Sequence, residues 1–456
     1  MNELLLVICI CAYITSARLR LNSKQVNMAL GFTLGALLLS LVPLIVLYLS
    51  GSIGAPSAGS GRISRIPAVD WERNRAEISV ILMSLGTFVV LDIATMRPAL
   101  WTRNKTFRIK GLPRITPRTI AIAYCAIGIV VFLLTGLAGS GHWARSRDAF
   151  FRNYGVGAEL VSTGLSSLRL AYLACMMSAW MRGKRSMRTT IGSMAVFCVL
   201  DLYLTGNRIF TLQSLVAITV GWYVKGQFWA LFAATGCAFP FGYLMMLFTV
   251  IRAKMHTYHG SGVGALLVGL QSGWEAATNF FRGSTWQNFF LQISEGSSVN
   301  VFVAVVNRYP RVHDHLMGAT IIRPLVFWVP RTIWATKPPP ISLIFGFDLL
   351  PGLDVSLSGT VFAEYYANLW LFGPIALVVV LRLFDASISK CGNDVISIRF
   401  LALVAGFTHL RLEGTSNILP VIGALLILNH CVPIEVASNS KTNMALTRVH
   451  LSDQVE

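Results

Sequence analysis

The run FWVPRTIWATKPPP, residues 327–340, mounts two cations in a proline frame. Arg331 directly follows Pro330, and Lys337 directly precedes Pro338, Pro339 and Pro340. Proline restricts the backbone on both sides, so the two charges leave a stiff, extended support. A planar guanidinium can hold two phosphate oxygens at once while a lysine offers a compact charge to a third, so the pair suits a diphosphate. Further cations, Arg252, Lys254, Arg282, Arg308, Arg311 and Arg323, occupy the same part of the chain. The plainer reading is a loop that binds lipid headgroups.

A second constellation follows in SLSGTVFAEYYANLWLFGP, residues 356–374. Glu364 and Asn368 are four apart and share one face of a helix. A carboxylate there can orient the cations or accept a proton. Burial would raise its pKa and a nearby arginine would lower it, so spacing alone leaves its protonation state open. Asp92, Arg169, Asp201 and Arg208 also interrupt apolar runs, where a charge costs about 2.5–3.5 kcal/mol and so calls for a partner or a function. Asp92 and Asp201 are expected to pair with Arg169 inside a bundle. Arg208, in LTGNRIF, is a site candidate, with snorkelling to the interface as its rival reading. Arg411 and Glu413, in HLRLEGTSN, stand at another outer mouth.

The elements that must position these residues are membrane helices. Of 456 residues, 54% are hydrophobic and 13% charged. The apolar residues come in blocks of about 20, the length of a helical span. About eleven spans are expected, near 2–17, 27–49, 77–96, 119–138, 157–181, 191–206, 209–224, 227–250, 361–383, 397–411 and 417–434. The expected fold is an all-α polytopic membrane protein with a long, partly helical external loop before the third-last span. Its parts are a bundle over 1–250, an external segment over 251–360, closing spans over 361–434, and a tail over 435–456. Gly31 and Gly35 in GFTLG read as helix packing. In the external segment, GWEAATNFFRGSTWQNFFLQIS (273–294) is expected to fold back on the membrane as short amphipathic or re-entrant helices. Trp274, Phe281, Trp286 and Phe290 would then lie at the interface, as an aromatic belt or as sugar-stacking rings.

The net charge of +18 follows from orientation. The loops after spans 1, 3, 5, 7 and 9 hold 18 cations against Asp385 and Asp394. The positive-inside rule makes these loops cytoplasmic and puts the N-terminus and the 251–360 segment outside. Nucleic acid is therefore not an expected partner. The cysteines fall singly in apolar blocks apart from Cys9 and Cys11, without a zinc or disulfide pattern, and no Walker or H-E-x-x-H motif is present.

The stretch RYPRVHDHLMGATIIRPLVFWVPRTIWATKPPP, then GTVFAEYYANLWLFGP, resembles the Wzy-type oligosaccharide repeat-unit polymerases, which make O-antigen and related bacterial surface polysaccharides. The resemblance covers residues 300–375 best, plus the LTGNR turn. It rests on Pro330, Arg331, Trp334, Lys337 and Pro338, and on Glu364, Tyr365 and Asn368. Ala335, where a proline is more familiar, departs in loop shape and not in charge.

Such enzymes join undecaprenyl-diphosphate-linked units on the periplasmic face of the inner membrane and are GT-C-like. The resemblance implies donor and acceptor lipid-linked oligosaccharides, a bilayer, a polysaccharide chain-length regulator as a partner, and neither cofactor nor metal. Arg331, Lys337 and Glu364 would then be catalytic, with His313 or His315 as second choices for the base. Arg208, Arg411, Arg323, Tyr365 and Asn368 would bind substrate. Two rivals stand beside this reading. Asp70 and Glu72 in AVDWERN would suit a different GT-C-like transferase, and an inverted repeat or discontinuous spans in matching halves would suit a flippase for lipid-linked sugar.

Overall fold

The computed structural model describes residues 2–49, 83–89, 115–132, 156–205, 209–227, 262–278, 296–326, 337–350, 359–390, 395–409 and 418–430, with isolated positions between them. The described residues form helices and connecting turns. We number the helices α1 (Asn2–Asn22), α2 (Met28–Ala36), α3 (Val42–Leu49), α4 (Pro117–Phe132), α5 (Val156–Met181), α6 (Met187–Thr205), α7 (Ile209–Val224), α8 (Gly262–Thr278), α9 (Gly296–Arg308), α10 (Ala319–Val326), α11 (Ile341–Leu349), α12 (Val361–Leu369), α13 (Gly373–Lys390), α14 (Val395–His409) and α15 (Ile418–His430). Among the described residues four stretches are long and apolar enough to cross a membrane: Leu4–Asn22, Met28–Ile45, Leu160–Met181 and Val361–Ile388. Shorter apolar helices include Pro117–Val131, Ile209–Val224, Ser298–Arg308, Val395–His409 and Ile418–His430. The chain is thus a helical membrane protein.

α14 lies at the centre of the bundle, against α2, α5 and α7, and α5 also packs on α4 and α15. The α2–α14 crossing is set by glycine. A β-carbon at Gly31 would stand 1.8 Å from the Leu403 carbonyl oxygen, and one at Gly406 would stand 2.1 Å from that of Met28. Only hydrogen side chains let two backbones approach this closely, and van der Waals packing is what holds helices together in lipid. The N-terminus of α2 is capped by Asn27, whose Oδ1 accepts from the Leu30 amide at 3.0 Å. Asp385 of α13 accepts from the Met28 amide at 3.4 Å, which ties α13 to the same turn.

Two of the expected spans are not regular helices, and proline explains both. Between α2 and α3 the backbone widens into a π-helical turn, Leu37–Leu41, with the Val42 amide bonded to the Leu37 carbonyl. Pro43 has no amide to offer Leu39, and its ring crowds that carbonyl. The span expected over 361–383 is divided at a 3₁₀ turn, Trp370–Phe372, between α12 and α13. Pro374 likewise cannot donate to Trp370, and Trp370 itself adopts φ 50°. The chain then turns back on itself: a β-carbon at Gly373 would lie 2.9 Å from the Tyr365 carbonyl oxygen, although eight residues of continuous helix would rise about 12 Å.

The segment expected to lie outside, 251–360, contributes to the core as well as to the surface. From Ser298 to Asn307 every residue of α9 is buried, and the helix packs on α3, the π turn, α11 and α12. Phe302 stacks on Phe362 and meets Tyr366 edge-on. α9 is therefore enclosed on every side, its polar Ser298, Asn300 and Asn307 included. α8 keeps Leu267, Leu270 and Trp274 on the surface. Phe281, Trp286 and Phe290 lie outside the described residues.

Candidate functional site

The site is built on α12. Thr360 caps its N-terminus, with the hydroxyl accepting from the Ala363 amide at 3.4 Å, and Glu364 follows in the first turn, where the helix dipole favours a carboxylate. All residues from Val361 to Asn368 are buried, because α9 covers one face, α10 another, and α13 folds back beneath. Glu364 has 2% of its surface exposed and Asn368 none.

α10 completes the arrangement with Thr320. The Thr320 hydroxyl donates to Glu364 Oε1 at 3.0 Å and accepts from Asn368 Nδ2 at 2.7 Å. Asn368 Nδ2 also donates to the Glu364 carbonyl at 2.7 Å, one turn back along the helix. The spacing of Glu364 and Asn368 thus does bring them to one face, and the residue they share is a threonine 44 positions upstream. This threonine was not expected: in ATIIRPLV it is an unremarkable helical residue, and its role exists only once α10 meets α12. Because α10 leads into the proline-framed loop, the clamp sets where that loop departs.

Lys337 is 7% exposed. Its Nζ donates to the Val329 carbonyl at 3.1 Å and its amide donates to the Trp334 carbonyl at 3.1 Å, so the loop closes on itself. Trp334 Nε1 donates to the Thr336 hydroxyl at 2.9 Å. Arg323 is half-buried on α10. Tyr365 is fully buried, and its hydroxyl has no hydrogen-bond partner among the described residues, so it stands apart from the Thr320 clamp. Arg331, Arg208 and Arg411 lie outside the described residues, as do Pro330, Ala335, Asp92, Glu413, Asp70 and Glu72.

No protein-family model, curated protein or solved structure matches this chain.

The two histidines weighed as bases occupy different places. His315 Nδ1 lies 3.2 Å from the Ala367 carbonyl, at the C-terminal end of α12, with its ring among Tyr309, Tyr366 and Trp370. His313 is turned toward α11: Nε2 lies 3.3 Å from the Asp348 carbonyl and Nδ1 3.8 Å from its carboxylate. Tyr309 donates to the same carboxylate. Burial, then the hydrogen bond and charge of Asp348, push the Tyr309 hydroxyl above its ordinary value, so it remains a donor. The Thr320 clamp is built without either histidine.

Arg169 and Asp201, buried in the N-terminal bundle, close on each other. Arg169 Nη1 reaches both Asp201 oxygens at 3.2 Å, Nη2 donates to Ser166 at 2.6 Å, and the Tyr124 hydroxyl donates to Asp201. This is the structural pairing expected of Arg169 and Asp201. Among the described residues no group of three or more His, Cys, Asp or Glu could hold a metal.

Proposed function

We propose that the chain is an oligosaccharide repeat-unit polymerase that joins undecaprenyl-diphosphate-linked units into a surface polysaccharide at the periplasmic face of the bacterial inner membrane. The observation that carries this reading is the α10–α12 clamp. The two stretches that bear the family resemblance, 44 positions apart at Thr320 and Glu364, meet in one buried hydrogen-bonded set beside the loop that mounts the cations. In this reading Lys337 and Arg331, with Arg208, Arg411 and Arg323, neutralise the donor diphosphate as the anomeric C–O bond breaks. An acceptor hydroxyl oxygen attacks the anomeric carbon as the C–O bond to the lipid diphosphate breaks; the hydroxyl proton passes to Glu364 as base or, where Glu364 only orients the cations, to the departing diphosphate. Glu364 is enclosed and already accepts from Thr320. Tyr365 and Asn368 shape the walls, and a chain-length regulator would act on the product.

A flippase for lipid-linked sugar is the second reading, favoured by the interruption at Trp370–Phe372, since discontinuous spans are common where transporters bind substrate. Purified protein supplied with lipid-linked units separates the two. Long glycan formed without nucleotide supports the polymerase; movement of lipid across proteoliposomes without bond formation supports the flippase. Lys337→Ala and Arg331→Ala should each abolish glycan while leaving membrane insertion intact, and near-normal polymer from both removes the site assignment.

A further inference from the structure

α8, Gly262–Thr278, presents three different surfaces in succession around its axis. At about 100° per residue, Gly269 and Gly273 face inward. Both are buried, and Gly273 sits so close to Ile251 that a β-carbon would come within 2.7 Å of its side chain. A second sector carries Leu267, Leu270 and Trp274, exposed by 62%, 50% and 71%. The sector after that carries Gln271, Glu275 and Thr278, also exposed, with Gln271 Nε2 donating to Glu275 at 3.3 Å and the Thr278 hydroxyl donating to the Glu275 carbonyl at 3.0 Å.

The apolar and polar exposed sectors therefore meet along a line that runs with the helix axis, not across it. A helix standing upright in a bilayer has its lipid–water boundary across the axis, and here that would carry Gln271 and Glu275 into hydrocarbon or Leu267 and Leu270 into water. Only an axis parallel to the membrane plane lets one side be wet and the other greasy from end to end. We propose that α8 lies flat in the membrane–water interface on the external side, with Leu267, Leu270 and Trp274 pressed into the lipid and Gln271, Glu275 and Thr278 facing water. The partner is the phospholipid surface itself. The helix contains no lysine or arginine, so its seat is apolar and does not depend on anionic headgroups. This assignment does not rest on the polymerase reading.

The test is a scan of the full-length protein in phosphatidylcholine nanodiscs, with an environment-sensitive fluorescent amino acid placed singly at 267, 270, 271, 274, 275 and 278. The expected result alternates within each turn. Probes at 267, 270 and 274 are quenched several-fold more by lipids spin-labelled near the headgroup than by those labelled near the chain end, as for a helix about 5–10 Å into the boundary. Probes at 271, 275 and 278 are quenched by aqueous iodide instead. Adding anionic lipid or raising salt leaves the pattern unchanged. Quenching that deepens steadily from 267 to 278 would show a transmembrane helix. Iodide quenching at all six positions would show a helix in water. Shielding of 267, 270 and 274 from both quenchers, with energy transfer between labelled copies, would show a protein partner in the lipid's place. A seat that strengthens only with anionic lipid would also overturn the proposal.

Discussion

Two buried carboxylates of this protein are treated in opposite ways. Asp201 is held by Arg169 and Tyr124, which come from α5 and α4, so that three long helices are cross-linked inside the bundle. Glu364 lies on a helix of nine residues, and its partner Thr320 lies on one of eight, at a place where the chain turns back on itself. The first arrangement uses ion pairing to fix elements that are already rigid. The second uses hydroxyl and amide hydrogen bonds to fix a joint. A carboxylate inside a membrane protein is thus not evidence of a site until the elements that carry it are known: at Asp201 it ties long helices together, and at Glu364 it ties two short ones, α10 and α12.

The largest effect should come from breaking the scaffold. Asp201→Ala leaves Arg169 charged in the bundle interior, and removing one partner of a buried pair costs about 3–5 kcal/mol. The thermal unfolding midpoint in detergent should fall steeply and the yield of folded protein with it. The double change Arg169→Leu with Asp201→Leu should recover most of that loss, because two apolar side chains need no charge compensation. A double variant as unstable as the single would mean that the volume of the residues, not their charge, holds α5 and α6 together.

Next in size is the α2–α14 crossing, the scaffold's uncharged counterpart. Gly406→Val pushes a branched side chain at the Met28 carbonyl, which is backbone and cannot swing aside. Overpacking costs about 1–3 kcal/mol where neighbours can yield, and here they yield only by parting the helices. Cysteine pairs placed across α2 and α14 should lose their cross-linking efficiency in this variant, together with thermal stability. Unchanged cross-linking would mean that the approach of the two backbones is looser than the glycines imply.

How far the sequence foretold these two regions differs for a physical reason. Long apolar runs report their own helices: α5 was expected over 157–181 and forms over Val156–Met181, since composition and length alone decide a span. The Arg169–Asp201 pair was legible because charges so costly to bury must find each other. Glu364 and Asn368 were legible as neighbours because four residues make one helical turn. Thr320 was not, since a hydroxyl is cheap to place and its partner lies in another helix. The breaks had signals that apolarity masked: Pro43 and Pro374 sit inside uniformly greasy runs, and each withholds the amide that a straight helix needs. The full enclosure of α9 had no local sign, because burial of the last face depends on which helices arrive to cover it.

Smaller again should be the effect of opening the joint. Thr320→Val keeps the shape of the side chain and removes the hydroxyl, which takes one hydrogen bond from Glu364 Oε1 and one from Asn368 Nδ2. The cost should be about 1–3 kcal/mol, the range for deleting one side of a buried hydrogen bond. Thr320→Ser keeps the hydroxyl and should stay close to the parent in unfolding midpoint and in glycan formation. If valine and serine behave alike, the clamp does not set the position of the loop.

The smallest effect on stability, and the most telling, should come from Glu364→Gln. Glutamine keeps the size of the side chain and an oxygen that can accept from Thr320, and it removes only the negative charge. The protein should therefore fold nearly as well as the parent, with a loss well below that of Asp201→Ala, while polymer formation from lipid-linked units should collapse. The reason is that a charge used as scaffold is needed to reach the folded state, whereas a charge used to orient cations is needed only after it. If Glu364→Gln proves as unstable as Asp201→Ala, both carboxylates are scaffold and the contrast between bundle and joint disappears. If it is stable and fully active, the joint is real but the charge at its centre does no chemistry, and the search for the base moves to His313 and His315, the latter beside the Ala367 carbonyl at the other end of the same short helix.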